Sequence, residues 1–177
     1  YRTANPLTGS ATTLACSIAG TKTIGPLVGA TYPTITAAMA DLGANGVTGP
    51  VILELQGAYL SSAEPAFPVV IPQIPCVSAV NNVVLRPQAG AVNLSITSAN
   101  ATGTINFDGG DWVTIDGRAG GVGGPQLTLE NTALTGYAVQ FVNSANSNTL
   151  KFCTVKGVNT GTTSGVVVFS TTNQPTG

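Results

Sequence analysis

The sequence predicts an all-β chain wound as a solenoid, with a short helix covering its N-terminal end. Three observations predict it. From Val83 onward, short apolar strands follow one another without lengthening into helices. Their centres recur roughly every ten to fifteen residues, with Gly, Asn, Ser and Thr filling the gaps. A single amphipathic stretch lies ahead of them. No strand of this length buries a core alone, but each extends one when stacked on a neighbour.

Residues 1–22 lack a firm period and read as an extended lead segment, with a strand near Leu14–Ile18. Residues 23–170 form the solenoid domain. Within it, 34–42 is the helix: Pro33 or Thr34 suits its start and Gly43 its stop. Ile35, Ala38, Met39 and Leu42 recur at three- and four-residue spacing, which gives one apolar face to cover the open end of a stacked core. Asn45-Gly46 and Thr48-Gly49-Pro50 mark turns, and Val51–Leu55 is a strand. Residues 56–80 carry four prolines, which disfavour a central strand, although an edge piece at Pro68–Ile71 fits. Val83–Arg86 is the next strand, and Pro87, with no amide hydrogen, stops its ladder. The remaining strands are Ile105–Phe107, Val113–Ile115, Leu127–Leu129, Val139–Phe141, Leu150–Phe152 and Val166–Phe169. Phe107, Leu129 and Phe152 recur at about 22 residues, and Val113, Val139 and Val166 at about 26, so equivalent sides of a coil are expected two strands apart. Residues 171–177 read as a polar tail or truncation point.

Composition narrows the function classes. Only 7% of the 177 residues are charged and the net charge is −1, against about 25% charged in an ordinary domain. Six scattered Lys and Arg residues make no basic patch for a phosphate backbone, so no nucleic-acid partner is expected. No apolar run is long enough to span a membrane. No leader is recognisable and the chain starts at Tyr1, as in a processed product or a portion of something longer. There is no histidine, and the three cysteines have no zinc spacing. Cys16 and Cys76, in irregular segments, are the better candidate disulfide. Cys153, between Phe152 and Thr154, reads as a buried inert thiol.

The only acidic cluster is Asp108-Gly109-Gly110-Asp111, followed by Asp116-Gly117-Arg118. Three carboxylates this close can bind calcium, the one cofactor the sequence suggests, or supply two acids for glycoside hydrolysis. Asp and Gly are equally the residues of tight corners, where the carboxylate bonds to the next turn's amides, and the corner role is favoured. Trp112, the sole tryptophan, is either a sugar-stacking platform or packed under a loop, and packing is favoured. Arg118 and Arg86 can meet anionic sugars, with a solvated surface role favoured. Gly120–Gly124 lacks the Lys-Ser/Thr ending of a phosphate loop.

Val83–Pro87, Trp112–Gly117, Leu127–Asn131 and Asn148–Val155 resemble right-handed parallel β-helix repeats of the pectin-lyase-like kind. More closely, the chain resembles the β-helix regions of large secreted or cell-surface proteins of Bacteroidetes-type bacteria. Tyr32-Pro33-Thr34-Ile35 through Gly49-Pro50-Val51 is similar to the usual start of such domains, and the resemblance spans most of residues 23–170. It implies a secreted or cell-surface location and a right-handed parallel β-helix. It also implies a structural or adhesive module whose partners are glycans, surfaces or further copies of itself. The same architecture houses polysaccharide lyases and hydrolases, and none of their catalytic motifs matches here. No C-terminal sorting domain is evident, so the piece reads as an N-terminal fragment. A non-catalytic module is favoured, with a polysaccharide-active enzyme and a passive spacer as the alternatives.

Overall fold

The computed structural model describes residues 16–161 and 165–171. Twelve strands and one α-helix run in the order β1 (Ile18–Ile24), α1 (Ile35–Asn45), β2 (Val47–Leu55), β3 (Val69–Pro72), β4 (Val83–Pro87), β5 (Leu94–Ser98), β6 (Gly103–Asp108), β7 (Val113–Asp116), β8 (Leu127–Asn131), β9 (Tyr137–Val142), β10 (Thr149–Lys151), β11 (Cys153–Gly157) and β12 (Val167–Phe169). They form three sheets, ordered β1-β2-β4-β7-β10, β5-β8-β11 and β3-β6-β9-β12. Every strand pair is parallel. From β4 onward the chain visits the first, second and third sheet in turn and repeats that circuit three times. The chain is therefore all-β in its sheets, with a single α-helix among the described residues.

The register explains the core. In the first sheet Leu53, Leu85, Ile115 and Leu150 lie side by side. In the second, Ile96, Leu129 and Val155 do. In the third, Ile71, Phe107, Phe141 and Phe169 do, and the rings of the three phenylalanines stack with centroids 4.5 and 4.9 Å apart. Like residues sit on like, so one apolar cluster runs through all three sheets and holds both Phe107 and Leu129. It opens at the last circuit, where Phe169 is 77% exposed.

Helix α1 starts where Thr34, in extended backbone, accepts the Ala37 amide on its Oγ1 at 3.0 Å. Its buried residues are Ile35, Ala38, Met39 and Leu42, the expected face. It packs against β1 and β3, the terminal strands of the first and third sheets. The first-turn amides meet an acid from far along the chain. Glu64 accepts from Ile35 N at 2.7 Å, Thr36 N at 3.0 Å, Thr36 Oγ1 at 2.7 Å and the Tyr59 hydroxyl at 2.9 Å. A carboxylate there satisfies orphan donors and complements the helix dipole. Glu64→Gln is expected to cost about 1–2 kcal/mol in urea unfolding, because the amide keeps the shape but loses the charge and one acceptor.

Several expectations are corrected. The helix passes Gly43 and ends at Gly46, which supplies the positive φ of 57° and donates its amide to Leu42 O at 2.9 Å. The turn expected at Thr48–Pro50 is the first half of β2, which is irregular against β1. The lead segment ends earlier than residue 22: β1 already pairs with β2, while Leu14 lies outside the described residues. Leu94–Ser98 forms a strand where none was expected, and the Leu150–Phe152 strand stops at Lys151. Phe152 instead turns the corner into β11 at φ 52°, 51% exposed. The unforeseen β5 and β11, both in the second sheet, change the count from two strands per circuit to three. Phe107 and Leu129 therefore stand in different sheets, and Val139 stacks on Ile105 rather than on Val113.

Candidate functional site

Six of the seven acidic residues of the chain have a structural partner. Asp41 accepts from the Tyr32 hydroxyl and the Asn45 amide group. Glu54 pairs with Arg86 at 2.7 Å, across the register of β2 and β4. Glu64 holds α1. Asp108 accepts from Asn143 Nδ2, and Asp111 from the Asn146 backbone amide at 2.7 Å. Each of these last two partners lies 35 residues further on. Asp108 and Asp111 thus fasten one circuit's corner to the next.

Asp116 is elsewhere in purpose. It is buried, takes two hydrogen bonds from the Arg118 guanidinium and lies 3.5 Å from Lys151 Nζ. The Arg118 guanidinium in turn lies over the Phe152 ring, 4.1 Å from its centroid. The Arg118 hydrogen bonds hold the Asp116 carboxyl below the ordinary carboxylate range, against the opposing effect of burial. A carboxyl depressed in the folded state stabilises fully above its unfolded pKa, about 3.9, and that contribution is lost as the pH falls through the folded value. Asp116→Asn is therefore expected to lower the melting temperature at pH 7 by about 3–6 °C. The gap from the unsubstituted chain should close as the pH falls below about 3.9. Melting curves from pH 2 to 7 measure both.

The structure does not bring Asp108, Asp111 and Asp116 to one point. No group of three or more Cys, Asp or Glu side chains that could share a metal ion occurs among the described residues. Cys16 and Cys76 are joined as a disulfide, with Cα atoms 6.5 Å apart. Cys153 is a free thiol whose sulfur lies 3.3 Å from Lys151 O, and burial pushes it up to about 11. Tyr59 is buried on Glu64, and Tyr137 is buried with its ring where a Cβ on Gly103 would lie. Gly120 and Gly121, both at positive φ, lie in a tight turn against β4.

Trp112 is half-buried and lines an open concavity of about 360 Å³ together with Asp111, Gln73, Ile74, Pro75, Cys76 and Val77. Trp112 has φ 56°, an uncommon conformation for a bulky residue. Its amide donates to Asn146 O at 3.3 Å, and its carbonyl accepts from Val83 N at 3.1 Å. Asn148 braces the same corner, donating to Gly110 O at 2.7 Å and accepting from Val113 N at 3.0 Å. Of the candidate residues, the structure thus groups Asp111 with Trp112, and Asp116 with Arg118. The Gln73–Val77 wall was not foreseen; its only signal in the sequence was Cys76.

No helix among the described residues is long and apolar enough to cross a membrane. No family model, curated protein or solved structure matches the chain.

Proposed function

We propose that the chain is a right-handed parallel β-helix with α1 as its N-terminal cap, working at the cell surface or outside the cell as a structural or adhesive module. The sheet order and the three repeated circuits support the coil. The position of α1 across the terminal strands β1 and β3 supports the cap. The commitment of the carboxylates carries the functional half. Six of seven already hold a backbone amide, a side-chain donor or a cation, so no spare pair stands ready as acid and base. Its partners are glycans, surfaces or further subunits, met through long and weakly charged faces.

Exposure of the purified chain to a panel of neutral and acidic polysaccharides tests this reading. Retention on one or more polymers is expected, with no release of reducing ends or unsaturated products. Cleavage that Asp111→Asn abolishes would overturn it in favour of an enzyme. Absence of retention on every polymer would leave a spacer.

A further inference from the structure

We propose that the concavity between Trp112 and the Gln73–Val77 segment binds a neutral sugar. The inference rests on the adhesive reading above and gives it a location and a ligand class.

The shape fits. About 360 Å³ lies within the range of small-ligand clefts, roughly 300–1,000 Å³. The lining fits a sugar in particular. A pyranose has an apolar C–H face and a rim of hydroxyls, so it calls for an aromatic plane beside donors and acceptors. Trp112 is the only tryptophan in the chain, and it offers both a π-face and an indole N–H donor. Asp111 stands next to it. Its Oδ1 is held by the Asn146 amide at 2.7 Å, which leaves a carboxylate fixed in direction with Oδ2 as a further acceptor. Gln73, exposed and also lining the concavity, brings both an amide donor and a carbonyl acceptor.

The walls are fixed before any ligand arrives. One side carries Cys76 of the Cys16–Cys76 disulfide, and Pro75 O accepts from Val47 N at 3.1 Å. On the other side, the positive φ of Trp112 is maintained by backbone bonds to Asn146 and Val83. A bulky residue held in that conformation stores about 1–3 kcal/mol of strain, which the surrounding bonds must offset. Preorganised walls lose little freedom on binding. Selectivity follows from charge: one carboxylate and no Lys or Arg line the concavity, so uronates and phosphates are disfavoured while hydroxyl donors are welcome.

The sole tryptophan makes the site its own reporter. Oligosaccharides of glucose, galactose, mannose and xylose are titrated against Trp112 fluorescence, with oligogalacturonate alongside and calorimetry on the same samples. A saturable emission change with at least one neutral oligosaccharide is expected, and none with oligogalacturonate. Gln73→Ala, on an exposed residue, is expected to weaken that binding about tenfold, and Asp111→Ala at least as much. Trp112→Ala should abolish the calorimetric signal while unfolding stays cooperative. If that variant fails to fold, Gln73→Ala decides. The proposal is overturned if no neutral oligosaccharide gives a saturable change, if oligogalacturonate responds equally, or if Gln73→Ala binds as tightly as the parent. Polymer retention that survives any of those results would keep the adhesive reading and remove this site from it.

Discussion

Gly117→Ala is expected to destabilise the chain by about 3 kcal/mol or more, the range reserved for overpacking a buried site. Gly117 is buried at the corner after β7. A Cβ built there lies 1.9 Å from Phe152 O, 2.7 Å from Phe152 C and 3.1 Å from Cys153 Cα. All three are backbone atoms, so no side chain can swing away. Two short backbone bonds pin the same residue: its amide donates to Lys151 O at 2.9 Å, and its carbonyl accepts from Gln126 N at 2.6 Å. Making room for one methyl group pulls β10 and β11 away from β7 and β8. Gly124→Ala is the matched control, since nothing lies within 4 Å of its Cβ position, and its change should stay within about 0.5 kcal/mol. Urea unfolding of the pair measures the difference, and equal midpoints would falsify the close approach at this corner.

Reduction of the Cys16–Cys76 bond, or Cys76→Ser, is expected to cost about 4 kcal/mol. The bond closes a 60-residue span that contains β1, α1, β2 and β3. Cross-linking a loop of this length removes much of the freedom of the unfolded chain, and that is where most of the stabilisation arises. In the folded state the bond sits against Gly46, where a Cβ would lie 2.8 Å from Cys16 Sγ. It therefore ties the entry to β1 to the C-terminal end of α1 as well as to the loop after β3. Melting with and without a reductant should show a drop of about 8–16 °C. Cys153 is a single thiol and makes no bridge within the chain, so the shift isolates this bond. An unchanged melting temperature would mean the bridge contributes nothing.

These features differ in how far the sequence disclosed them. The apolar face of α1 was plain, because Ile35, Ala38, Met39 and Leu42 recur with helical period and burial follows period. The strands beginning at Val83, Val113 and Leu127 were plain because apolar residues alternate between turn residues. Strand β5 was missed although Leu94 and Ile96 alternate just as Val113 and Ile115 do: Ser95, Thr97 and Ser98 merged with the flanking Asn and Ser residues into one apparent loop, and its partner strand lies 33 residues further on. Without β5 and β11 the count is out of phase, so intervals between different sheets look like a repeat. The partnerships of the acids were hidden for a related reason. Asp108 with Asn143, and Asp111 with Asn146, match in position on successive circuits but not in residue type. The Trp112 concavity was half legible. Asp111 and Trp112 are adjacent in sequence, whereas the rest of the lining comes from residues about forty positions earlier, brought there by the parallel pairing of β3 with β6.

The helix laid across β1 and β3 gives the stack a direction. One end is closed by Met39 and Leu42; the other shows Phe169 and the outer edges of β10, β11 and β12. In the proposed coil each layer touches only its neighbours. Copying the stretch that encodes one layer would therefore lengthen the rod by about 4.8 Å, the spacing of adjacent strands, and leave both termini chemically unchanged. Tandem duplication of a middle layer would then set how far this protein reaches without disturbing the contact of α1 with β1 and β3.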